Sequence, residues 1–209
     1  MQNFKLITKV LTDDQITTYL HDYVKIYSPL SYLYPYINIR KPFNRWWDIT
    51  FDGTYYVLLK LFSKYTNLIS DKIVCDYGCN IGTYSFMMKD FNAKCVYGID
   101  KDTICLSIAN SIKHKLNYTN VFFYKGSFTN HFEPYVDVGL LLHHGFKYDN
   151  IIDITSNFVE NNHPSTLIVN STMMDQIDYI FKSSYKYKYS FPYFSIYGDD
   201  YIEYLDVGK

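Results

Sequence analysis

Two carboxylates and an interrupted run of glycines carry the most chemistry in this 209-residue chain. Asp76 ends the apolar run Ile73-Val74-Cys75, and Tyr77-Gly78-Cys79-Asn80-Ile81-Gly82 follows directly. Gly78 and Gly82 let the backbone turn tightly and approach a ligand with no side chain between. A helix opening at about Gly82 presents unsatisfied amide donors to whatever lies in that turn. Asp100 closes a second apolar run about 20 residues further on, where a carboxylate can accept both hydroxyls of a ribose. The set describes a nucleoside pocket at the carboxyl edge of an open α/β sheet, and hence a cofactor-using enzyme.

A dinucleotide fingerprint would need glycines at 78, 80 and 83, and the chain has Gly78, Asn80 and Thr83, so a pyrophosphate cradle is poorly supported. Asp76-Tyr77-Gly78-Cys79-Asn80-Ile81-Gly82 resembles the D-x-G-x-G-x-G signature of class I S-adenosylmethionine-dependent methyltransferases, with Asn80 standing for the middle glycine. The resemblance runs from about Asp71 to Asn170. It implies that Asp76 holds the amino group of the methionine moiety and that the backbone of Gly78, Cys79, Asn80 and Gly82 borders its methionine and ribose portions. It further implies that Asp100 binds the ribose, that Lys101 lies beside the adenine, and that Ser127 and Phe128 contact the adenine ring. Leu142 joins the cofactor-binding set at the end of the fourth strand. Many family members carry Asp where this chain has Ser127.

The fourth strand and its exit read Val136-Asp137-Val138-Gly139-Leu140-Leu141-Leu142-His143-His144-Gly145. In such a sheet this exit borders the reactive sulfonium, because strand four neighbours strand one at the switch point. His143 and His144 are the catalytic candidates. A histidine there can deprotonate a hydroxyl or amine as it attacks the methyl group, or it can orient the substrate or cap the next helix. His143 is preferred, being first off the strand. In-line approach in a site that excludes water supplies much of the rate of methyl transfer, so no catalytic triad is required. The segment lacks the [DNS]-P-P-[YFW] motif of base amino-group methylation. No cysteine is placed as the nucleophile that cytosine C5 methylation needs.

Positioning these groups requires a regular strand–helix alternation. Strands are expected at 72–76, 94–99, 119–124, 136–142 and 165–170, with helices at about 82–91, 102–116, 149–160 and 173–182. This predicts an α/β, doubly wound, mostly parallel sheet, a Rossmann-like methyltransferase fold. Residues from Tyr185 to Asp206, on either side of Gly198-Asp199-Asp200, read as an antiparallel C-terminal hairpin. Residues 1–70 read as an N-terminal helical extension or lid, with helices from about Thr12 to Tyr27 and from Asp52 to Tyr65. Residues 71–209 form the cofactor-binding core, the whole being a single compact domain.

The net charge is −1, so no global field draws the chain to nucleic acid or anionic membrane. The four cysteines form no C-x-x-C pair, which argues for small buried thiols in a reducing, cytoplasmic setting and against a metal site or disulfide framework. No apolar run reaches bilayer-spanning length, so no membrane partner is expected. Tyrosine is abundant, at 24 residues, and covers surfaces as well as filling cores, so it assigns no function. The patch Arg40-Lys41-Pro42-Phe43-Asn44-Arg45-Trp46-Trp47-Asp48 is either a substrate-stacking lid or an anchor for the extension. Lys182, Lys186 and Lys188 interleave with Tyr185, Tyr187 and Tyr189. That pattern suits a half-exposed edge strand better than a nucleic-acid platform. The expected function is S-adenosylmethionine-dependent methylation of a small polar molecule, at a metabolite or sugar hydroxyl in preference to an amine. Its rivals are an RNA methyltransferase and a catalytically silent cofactor-binding partner subunit.

Overall fold

A computed structural model describes residues 4–16, 18, 53–142, 151–170, 174–190 and 194–200. Among them, the strands β1 (Lys5–Leu6), β2 (Ile73–Tyr77), β3 (Cys95–Asp100), β4 (Val121–Lys125), β5 (Val138–Leu141), β6 (Thr166–Asn170), β7 (Tyr187–Ser190) and β8 (Phe194–Gly198) form one sheet. Its order is β1-β4-β3-β2-β5-β6-β8-β7. The helices are α1 (Gly53–Lys64), α2 (Thr83–Asp90), α3 (Thr103–Lys115), α4 (Ile151–Asn161) and α5 (Met174–Ser184). The five inner strands β4-β3-β2-β5-β6 are parallel. The chain leaves β2 in one direction toward β4 and returns on its other side through β5 and β6. The crevice therefore opens at the carboxyl ends of β2 and β5.

Both sheet faces are covered, which is why the inner strands are near-continuous apolar runs. Alternate residues divide between two cores. Val74, Val96, Phe123 and Leu140 share one cluster with Leu58 and Phe62 of α1, Phe86 of α2 and Leu106 of α3. Cys75, Tyr77, Leu141 and Val169 share the other with Phe158 of α4 and Phe181 of α5. Leu58 and Phe62 are fully buried, and each such side chain contributes roughly 1.5–3 kcal/mol. Core packing thus ties α1 to the sheet.

The sequence-expected inner strands and the helices between them are all present, with boundaries displaced by one or two residues. Two features differ from expectation. β1 pairs antiparallel with β4, Lys5 opposite Lys125 and Leu6 opposite Tyr124; two residues are too few for periodicity to reveal. The carboxyl-terminal hairpin turns between Ser190 and Phe194, since Ser190 lies opposite Ser195 and Tyr187 opposite Gly198. The observed hairpin therefore joins β7 to β8, with Gly198 closing β8, and the arm expected beyond Gly198-Asp199-Asp200 lies outside the described residues. Thr12 caps a helical turn over 13–16 through a reciprocal box: its Oγ1 accepts from Gln15 N (3.3 Å) and its N–H donates to Gln15 Oε1 (3.0 Å). The rest of the expected first helix and the Arg40–Asp48 patch, with Trp46 and Trp47, lie outside the described residues. No helix among the described residues is long and apolar enough to cross a membrane.

Candidate functional site

The β2–α2 turn is left-handed at three alternate positions, with φ of 79° at Gly78, 54° at Asn80 and 85° at Gly82. Asparagine is among the few non-glycine residues that tolerate this region, which explains how Asn80 replaces a glycine. The turn lies down on β3. Gly78 N–H and Cys79 N–H both donate to Ile99 O, at 2.8 and 3.0 Å. Close approach depends on two missing side chains. A Cβ on Gly82 would sit 2.8 Å from the Phe123 ring, and one on Gly98 would sit 2.5 Å from that ring and 2.9 Å from Cys79 Sγ. The packing role of Gly98 leaves no signal in motif spacing, because its neighbour Phe123 lies on another strand.

The two carboxylates have different surroundings. Asp76 is 2 % exposed, and its Oδ2 accepts the Ser85 hydroxyl at 2.6 Å. Burial pushes its carboxyl up to about 7; hydrogen bonds from the Ser85 side chain and main chain work against that rise, and the Asp100 charge adds to it. Asp100 Oδ2 accepts Asn80 N–H at 2.8 Å and Oδ1 accepts Asp102 N–H at 2.9 Å. Each carboxylate oxygen has two acceptor sites, so Asp100 is fixed in place with acceptor capacity to spare.

Beside Asp100 lies a cavity of ≈ 260 Å³ lined by Gly78, Ile99, Asp100, Lys101, Gly126, Ser127, Phe128, Thr129 and Ile154. Five sequence-expected residues, Gly78, Asp100, Lys101, Ser127 and Phe128, meet there. Asp76, Cys79, Asn80, Gly82 and Leu142 are not among the lining residues; Cys79 and Leu142 are buried at 5 % and 3 % exposure. Ile99, Gly126, Thr129 and Ile154 were not expected. Ile154 comes from α4, far along the chain from the glycine turn, and only the tertiary fold brings it in. His143 and His144 lie outside the described residues.

The cavity suits a nucleoside. Ile99, Phe128 and Ile154 offer apolar surface for a base, and Asp100 offers a preset acceptor for sugar hydroxyls. At the start of α2 the buried Thr83 Oγ1 has no hydrogen-bond partner among the described residues, which leaves a polar group available at the turn. These residues fit S-adenosylmethionine, whose chemical contribution is an electrophilic methyl on a sulfonium.

The family model described as a methyltransferase domain matches residues 68–188, more than half of the chain. Magnesium protoporphyrin IX methyltransferase from Synechocystis PCC 6803, with bound S-adenosylmethionine, superimposes with a TM-score of 0.59 at 18% identity, covering 91% of this chain and 98% of that one. The same enzyme with S-adenosylhomocysteine gives 0.59 at 16% identity, covering 87% and 97%. A candidate RNA methyltransferase from Pyrococcus horikoshii gives 0.55 at 12% identity, covering 88% and 96%. At these identities the structures establish likeness of fold. No curated protein sequence matches the chain. The family model, the doubly wound sheet and the carboxylate-flanked cavity converge: this chain belongs to the methyltransferase-domain family and is an S-adenosylmethionine-dependent methyltransferase.

Proposed function

We propose that this enzyme methylates a small polar molecule, at a metabolite or sugar hydroxyl in preference to an amine. In this reading Asp100 accepts from the ribose hydroxyls of the cofactor, while Phe128, Ile154 and Ile99 enclose the adenine. The Gly78–Gly82 backbone borders the methionine portion. Asp76, enclosed by Ser85, fixes the turn and faces the amino group through water. His143, the first residue after Leu142, is assigned as the general base, with His144 as its alternative. A neutral histidine would remove the proton as the acceptor oxygen attacks, and alignment with exclusion of water would supply the remaining acceleration.

The observation that carries the small-molecule reading is the state of the lysine–tyrosine edge. Asp178 pairs with Lys182 at 2.5 Å and with Lys188 at 2.8 Å, and it accepts the Tyr197 hydroxyl at 2.5 Å. Two of the three lysines in the lysine–tyrosine run are thus held in ion pairs to one carboxylate of the protein. Phosphate contacts need cations free to displace counterions, and a net charge of −1 offers no compensation. The test is to incubate the enzyme with methyl-labelled S-adenosylmethionine and an extract separated into RNA, protein and small-molecule fractions. Label is expected in the small-molecule fraction. Label confined to RNA overturns the substrate assignment, and no transfer to any fraction supports a silent partner subunit.

A further inference from the structure

One wall of the cavity, Gly126 to Thr129, is a loop that has left the sheet. Its first residue is still tied to β3, Gly126 N–H donating to Asp100 O at 2.9 Å. Beyond that point it is held by the far end of α4. Asn162, one residue past α4, is 5 % exposed. Its Nδ2 donates to Phe128 O (3.0 Å) and to Asn130 O (2.9 Å), and its Oδ1 accepts Phe132 N–H (3.0 Å). All three side-chain bonds go to one loop, and none to the carbonyls of its own helix. Asn161 Nδ2 donates to Thr129 O at 3.0 Å, and His131 Nδ1 donates to Asn161 O at 2.7 Å.

The same helix reaches the cavity at two other levels. Ile154 lines it, and the Phe158 ring meets the Phe128 ring edge-on at 6.1 Å between centroids. Residues 154, 158 and 162 follow one another at four-residue intervals, along one helical stripe. One stripe of α4, continued by the residue that follows it, thus supplies a piece of the wall, the support for Phe128 and the clamp on the loop backbone. A buried side-chain amide whose every partner is one loop specifies where that loop sits.

We propose that Asn162, assisted by Asn161, is a positioning residue for cofactor binding, acting through the main chain of Phe128, Thr129 and Asn130 to set the nucleoside-side wall. The inference rests on the cavity being the nucleoside site. The wall is then a product of helix placement, and loss of the clamp weakens every ligand bearing the nucleoside by the same factor.

The test is calorimetric binding of S-adenosylhomocysteine and of 5′-methylthioadenosine to the full chain, with kcat and KM for S-adenosylmethionine measured alongside. Asn162→Asp keeps the acceptor for Phe132 and loses both donors, and Asn161→Ala removes, at an exposed position, one bond to the loop (Thr129 O) and one within α4 (Asn157 O, 2.9 Å). From the usual worth of such bonds, Asn162→Asp is expected to raise Kd for both ligands about tenfold and Asn161→Ala about threefold, with kcat at saturation changed less than about twofold. Unchanged affinity in Asn161→Ala, or in a folded Asn162→Asp, overturns the proposal. So does a loss for S-adenosylhomocysteine that 5′-methylthioadenosine does not share, or a fall confined to kcat. If Asn162→Asp does not fold, Asn161→Ala decides alone. Asp100→Ala separates the two levels: if it too leaves binding intact, the nucleoside assignment of the cavity has failed; if it weakens binding while the asparagine variants do not, only the clamp has.

Discussion

Asp76 shows how burial and hydrogen bonding compete at one residue. Removing a carboxylate from water favours its neutral form, and the Ser85 hydrogen bonds recover only part of that cost, leaving the group near 7. A carboxyl raised in the folded state binds its proton more tightly there than in the unfolded chain. The resulting stability is present below the ordinary value of 3.8 and is lost as pH rises through about 7. Asp76→Asn removes the titration, so the variant should gain on wild type between pH 4 and 8, by at most about 4 kcal/mol. Urea unfolding at several pH values checks this; a difference independent of pH contradicts it. Asp76 and Asp100 were legible in the sequence because each ends an apolar run, which places it at a strand's carboxyl edge. Ser85, Thr129 and Ile154 were not, because hydrogen-bond partners and cavity walls are chosen by helix placement in three dimensions.

Elements were more legible than contacts. The inner strands, buried on both faces, stand out as short apolar runs, and the helices between them have one apolar side; hence the doubly wound class could be read from alternation, and the strand order could not. β1 could not, since a two-residue edge strand has no period, and the pairing of Tyr187–Ser190 with Phe194–Gly198 leaves no glycine signal at its own turn. Glycine marks several things, and here two of them serve packing. Gly98 lies opposite Phe123 across the β3–β4 pair, and their closeness makes a specific prediction. Gly98→Ala should destabilise by about 1–3 kcal/mol through overpacking. Part of that cost should vanish in a Phe123→Leu background, because the two nearest atoms in conflict belong to the ring, while the third, Cys79 Sγ, stays in place. A double-mutant cycle by chemical denaturation measures it, and simple additivity would show that the clash is relieved elsewhere.

At the scale of the whole molecule, a sheet whose order reverses at β2 places a glycine turn, two carboxylates and the carboxyl end of β5 along one edge. The net charge is nearly neutral, and at the far end of the sheet Asp178 holds Lys182 and Lys188 in ion pairs. The enzyme should therefore retain RNA no more strongly at 50 mM than at 200 mM salt, whereas a protein contacting several phosphates loses about 10³-fold or more over that range. A steep salt dependence in filter binding would favour a nucleic-acid acceptor. The cavity beside Asp100, as the seat of the cofactor's nucleoside, is the central feature of the proposed site. Isothermal titration of S-adenosylhomocysteine into wild type and Asp100→Ala examines it directly. Loss of the ribose acceptor should weaken binding at least about tenfold, as expected for a hydrogen bond to a charged group, with the fold intact by circular dichroism. Equal affinity in the two proteins would place the cofactor elsewhere and contradict the site described.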